Sequence, residues 1–164
     1  MKKLVLPLIA TVAVAAIVIP SLAGAAGTKK TTCHYDQKAI VVTTKVLSGS
    51  PPASGSNAYA GTLDGSFCGK TMHGAARGVN HYPSAGKFNG PVQSFGSLGS
   101  IKATASGTGT INSKGNIVFS GKGTITGGTG PFKHATGSFT FTGTQQGGDP
   151  DNPAHQHIVG NVKY

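Results

Sequence analysis

Glutamate and tryptophan are absent from this 164-residue chain, and the only carboxylate side chains are Asp36, Asp64, Asp149 and Asp151. So few acids leave little for paired-carboxylate acid–base chemistry. No Gly-x-Ser-x-Gly elbow occurs, so a Ser-His-Asp hydrolase of that type is excluded. Paired arginines are missing, which excludes the twin-arginine export route. The "LAGA" segment at residues 22–25 lacks the cysteine that a lipid anchor would need. No run beyond residue 25 has helical periodicity.

What is present begins with a leader. Lys2-Lys3 is a short basic segment, Leu4 to Ile19 is almost wholly apolar, and Pro20 breaks the run ahead of small residues. This pattern predicts a Sec-type signal peptide over residues 1–25, with cleavage after Ala25 or Ala26 and a secreted, extracellular or periplasmic product. The apolar stretch is shorter than the ~20 residues of a spanning helix, so no stable membrane anchor is expected after cleavage. Residues 26–164 are expected to form one domain. The formal charge is +10, or about +8 without Lys2 and Lys3 of the leader, and it is spread rather than clustered. In an exported protein it suggests solubility or an anionic partner such as cell-wall polymer, rather than nucleic acid. Cys33 and Cys68, an even pair in an oxidising compartment, predict one disulfide.

Alternation with period two dominates the chain. From Ile101 to Ile111 the odd positions are apolar or small and the even ones are Lys, Thr or Ser. Asn112-Ser113-Lys114-Gly115 then reads as a turn. Ile117, Phe119 and Ile125 continue the apolar face, followed by Phe139 and Phe141. Three strands with one apolar and one hydroxyl-rich face make an antiparallel meander. Ala39–Leu47, Ala58–Phe67 and His155–Lys163 also read as strands, with Gly69–Ala76 and Val92–Leu98 less clear. "SGSPPASGSN" (48–57) reads as a turn-rich separator and "RGVNHYPSAGKFNG" (77–90) as a long loop. About eight short strands with internal glycines predict an all-β, eight-stranded antiparallel barrel. A β-sandwich is the alternative.

The stretch "TITGGTGPFKHATG" (124–137) invites a phosphate-binding reading, which fails on detail. Lys133 follows Phe132, His134 stands where a P-loop needs Ser or Thr, and a strand-like segment follows instead of a helix. No cofactor is expected. The same residues resemble the allene oxide cyclase barrel-like superfamily, which includes dirigent proteins and exported bacterial members. The matching motif is Gly127-Gly128-Thr129-Gly130, then Phe132, then Ala135-Thr136-Gly137. The resemblance implies an eight-stranded barrel that binds apolar or phenolic molecules. Dirigent proteins typically carry arginine where this chain has Thr136, and the glutamate ascribed to allene oxide cyclases has no counterpart here.

Candidate chemistry is sparse. Asp36, Asp64 and Tyr59 are acid–base or ligand candidates near a barrel mouth, with the two aspartates alternatively serving as turn formers. His155 and His157 share one strand face and are the sharpest metal-ligand pair, though that face looks solvated. The sequence therefore favours a secreted barrel that binds a small apolar or aromatic ligand. A cofactor-free cyclase or dirigent-like enzyme is one alternative, and a basic cell-wall-binding module is another.

Overall fold

The computed structural model describes residues 30–148 and 152–164. The expected signal peptide, Asp149 and Asp151 lie outside the described residues. The described strands are β1 (Thr32–Ser50), β2 (Ser54–Phe67), β3 (Lys70–Ser84), β4 (Lys87–Gly96), β5 (Gly99–Ile111), β6 (Ile117–Gly128), β7 (Thr136–Gln145) and β8 (Ala154–Lys163). Each pairs antiparallel with its sequence neighbour, and β8 pairs with β1 to close the barrel. The fold is therefore all-β and closed, as the alternation predicts, and not a sandwich. Closure gives every strand body two partners and leaves few free edges.

The turn at Asn112 forms for a local reason. The Asn112 side-chain oxygen accepts hydrogen bonds from the backbone N–H groups of Lys114 and Asn116, and Gly115 supplies a positive φ of 77°. Two segments differ from the sequence reading. Residues 77–90 are not a long loop but the arms of a hairpin, turning only at Ala85-Gly86. Asn80 and Tyr82 there line the lumen, so the apolar-in rule does not reveal the strand. Of residues 48–57, only Pro51–Ala53 make the turn, and the flanking serines and glycines pair in β1 and β2.

Inside the barrel, one pattern repeats. Phe139 lies directly across from Gly123, Phe141 from Gly121, Phe119 from Gly143, Phe88 from Gly107, and Tyr59 from Gly78. A Cβ added at any of these glycines would collide with the facing ring. Each ring thus lies over bare backbone on the next strand, an arrangement known to stabilise glycine within sheets. The rings also contact one another: Phe88–Phe119, Phe88–Phe141 and Phe139–Phe141 have centroids 6.3, 6.0 and 6.3 Å apart.

The two barrel ends differ. One is closed by Cys33, Tyr35, Phe67, Phe132, Ala135 and Val162, all buried. The Cys33–Cys68 disulfide lies there, bridging β1 to the turn after β2 across 35 residues of sequence. In the chain-entropy model such a bridge stabilises by roughly 3–4 kcal/mol. The chain enters and leaves at this end too, where Thr31 and Tyr164 exchange backbone hydrogen bonds of 2.8 and 3.0 Å. At the other end β1 outruns β8. Its pairing with β8 stops at Val41, so the rest of β1 and the start of β2 project as a hairpin.

Gly123→Val tests the ring-on-glycine packing. It should destabilise the barrel by about 2–3 kcal/mol through overpacking, and Phe139→Leu in the same chain should recover part of the loss. Equilibrium denaturation measures both. A loss below about 0.5 kcal/mol for the single variant would show that the ring simply moves aside.

Candidate ligand-binding site

The closed end is built by the motif noted in the sequence. Gly127 to Gly137 connect β6 to β7 through a short 3-10 turn at Gly130–Phe132. Gly130 has a φ of 60°, and a Cβ at Gly128 would strike the Ser100 carbonyl. These two positions therefore require glycine. Thr129 ties the loop to β5: its hydroxyl accepts from Ser100 N–H at 2.9 Å, and its own N–H donates to the Ser100 carbonyl at 2.9 Å. Phe132 consequently points under the barrel, 4% exposed, with its ring 5.5 Å from Phe67 and 4.9 Å from Tyr164. Ala135 is buried beside it. The loop is a stopper, and Thr136 beyond it is exposed.

Above the stopper the lumen holds a cavity of about 460 Å³. Its walls are apolar, with Phe88, Phe119, Phe139, Phe141 and Ile158 among them, and Pro51 and Pro52 of the projecting hairpin reach over it. Small side chains leave the space: Ala105, Gly109 and Ala154 line it where larger residues would fill it. Cavities of this size and character suit small organic ligands.

A polar cluster sits on β2 and β3. Asn57 pairs in register with Asn80. The Asn57 amide donates to the Thr43 hydroxyl at 3.0 Å, and the Asn80 amide donates to the Tyr82 phenol at 3.3 Å. Asn57 is only 5% exposed, and its Oδ1 accepts no hydrogen bond from the protein. A buried acceptor left unmatched is costly, by about 1–3 kcal/mol. Burial, with the neighbouring Tyr82 adding to it, pushes the Tyr59 phenol up to about 12. Burial raises Tyr82 as well, against the opposing pull of Asn80 and Asn57, and raises Tyr35 deeper in the barrel. At neutral pH all three phenols are protonated donors, not bases.

The sequence-derived candidates are dispersed. Tyr59 lines the cavity. Asp36 and Asp64 do not: they stand in mid-strand on the outer wall, about half exposed, bonded to His157 at 2.7 Å and His73 at 2.6 Å. Alternation explains this, because Tyr35, Gln37 and Leu63 beside them take the inward positions. Neither aspartate forms a turn, and no acid–base pair with Tyr59 is assembled. His155 and His157 likewise face outward, and no cluster of three metal-ligating side chains occurs among the described residues.

Asn57, Asn80, Tyr82 and Thr43 escaped the sequence reading. For Asn57, Asn80 and Tyr82 the signal is a repeated Asn-x-Tyr, Asn57-Ala58-Tyr59 and Asn80-His81-Tyr82, whose period of two puts both residues of each copy on one face, while Thr43 carries none.

Two outcomes check this geometry. Phe132→Ala should cost about 3–5 kcal/mol, since it empties a buried ring site; thermal or urea unfolding reads it. Because the lumenal phenols bind their protons more tightly folded than unfolded, stability should be level below pH 10 and fall as pH rises from 10 to about 12. Denaturation midpoints across that range, with Tyr59→Phe flattening the decline, would establish it; an unchanged decline in Tyr59→Phe would count against a buried Tyr59.

No protein-family model matches the chain, and no curated protein matches it in sequence. Among solved structures it is similar to the pterocarpan synthase dirigent protein GePTS1, with a TM-score of 0.52 and 16% identity over 83% of this chain and 85% of that one. A second, the pterocarpan synthase dirigent protein PsPTS1, gives a TM-score of 0.44 and 19% identity over 82% and 95%. At 16% identity, the likeness to the first is one of overall fold.

Proposed function

We propose that this chain is an exported barrel protein that binds a small aromatic or apolar ligand, carrying one hydrogen-bond donor, in the open half of its lumen. The carrying observation is the apolar cavity of about 460 Å³ in which Asn57, an unmatched buried acceptor, stands among rings. Such a ligand would place its ring against Phe88, Phe119 and Phe141 and its donor toward Asn57. The leader-like residues 1–25 and the Cys33–Cys68 bridge support export. The Gly127–Gly137 motif and the dirigent barrel support a place in the wider allene oxide cyclase barrel-like group.

Binding is favoured over catalysis on the same grounds. Among the described residues, the cavity is lined by amides, hydroxyls and protonated phenols, with neither carboxylate nor imidazole. These groups can hold and orient a ligand, but they offer no general base near neutral pH. A dirigent-like role, in which the barrel only confines a reactive guest, needs no base and fits the shared fold.

The test uses 2-naphthol and naphthalene as probes, followed by calorimetry or by their own fluorescence. The naphthol should bind more tightly, and Asn57→Leu should remove about tenfold of that preference, the equivalent of one hydrogen bond. Ala105→Phe, which fills the cavity, should abolish both. Equal binding by Ala105→Phe and the parent chain would place the probes elsewhere and overturn the reading.

A further inference from the structure

The lumen leaves the outer wall unexplained. A shallow groove of about 870 Å³ crosses the outside of β4 to β8. Two register rows make it. Thr104, Thr124, Ser138 and Asn161 stand side by side on β5, β6, β7 and β8, and Ser106, Lys122 and Thr140 stand side by side on β5, β6 and β7. All seven are exposed, because the alternate positions of these strands are taken up by the lumen.

This is not an ordinary solvated strand face. Sheet surfaces held in water are usually dressed with long charged residues of both signs. In the two rows short hydroxyls dominate and one lysine stands at the centre, and among the described residues no carboxylate lines the groove. His34 and His81 stand at its two ends. The nearest described carboxylate, Asp36, lies beyond Val159 in register and is engaged by His157 at 2.7 Å. Short hydroxyl side chains lose little rotamer freedom when they bind, and each can both donate and accept. Neighbouring strands repeat them every ~4.8 Å, comparable to the advance of one sugar along an extended glycan.

We propose that this groove binds an extended acidic polysaccharide, a uronate-bearing chain whose hydroxyls meet the Thr and Ser rows and whose carboxylate meets Lys122. A polyphosphate chain carries acceptors but no hydroxyl donors, so the Thr and Ser rows could only donate to it, whereas sugar hydroxyls match both their donor and their acceptor capacity. No aromatic side chain projects outward from the two rows, so a neutral sugar would lack a stacking platform. Groove and lumen lie on opposite faces of one sheet and share only Ala105 and Phe139 among their lining residues.

Hexagalacturonate is the probe, cellohexaose and linear polyphosphate the comparators, and backbone amide NMR with calorimetry the readout. Hexagalacturonate should shift amides of β5, β6 and β7 and bind at least tenfold more tightly than cellohexaose. Lys122→Gln should weaken it about tenfold, the scale of one charge-assisted contact, and Thr124→Val with Thr140→Val about fivefold. Lys45→Gln, on the projecting hairpin, should leave it unchanged. All these side chains are exposed, and valine suits strands, so the fold should survive; retained 2-naphthol binding verifies that and keeps this test separate from the lumenal one. Absence of binding, equal losses in Lys45→Gln and Lys122→Gln, or polyphosphate binding as tightly with the same footprint would each overturn the proposal.

Discussion

Aromatic rings laid on glycine backbone are the constraint on which this barrel depends. A closed eight-stranded barrel encloses barely enough space for its own side chains. Five of its lumenal rings are accommodated because the strand opposite offers no side chain at all. Strand glycine is ordinarily a liability, through lost entropy and lost packing. Here the ring supplies the packing that glycine lacks, and glycine supplies the room that the ring needs. Wherever the ring-and-glycine pattern gives way to small residues with no facing ring, as at Ala105 and Ala154, the lumen opens into a cavity.

That local rule produces a polarised molecule. The disulfide, the Thr129–Ser100 hydrogen bonds and the Phe132 stopper all gather at one end. The far end holds the cavity, the polar Asn–Tyr cluster and the projecting hairpin. These cross-links lie away from the opening, so substitutions around the cavity can alter what it accepts without dismantling the closed end.

Much of the fold was legible in the sequence because one face of most strands is solvated. The alternation in Ile101–Ile111 and around Phe139 and Phe141 marks strands and their inward faces, while barrel and sandwich both remain compatible with it. Reading failed where polar residues face inward. Asn57, Asn80 and Tyr82 look like loop residues by composition, so the start of β2 and the second half of β3 read as turn or loop while Ala58–Phe67 and Gly69–Ala76 read as strands. The candidate site suffered most, since it is made of those very residues. Asp36 and Asp64 drew notice as scarce acids, yet parity along the strand, set by Tyr35 and Leu63, sends both outward. Scarcity of a residue type says nothing about which side of the wall it occupies.

The exchange of backbone hydrogen bonds between Thr31 and Tyr164 also fixes how the barrel can be attached to anything else. Both ends of the folded chain emerge together at the stoppered pole. A fusion partner, an affinity tag or a solid support joined directly before Thr31 or after Tyr164 would therefore hold the barrel by its base, with the mouth directed away. A short covalent linker between Thr31 and Tyr164 would likewise turn the barrel into a ring that can be reopened in any exposed hairpin turn.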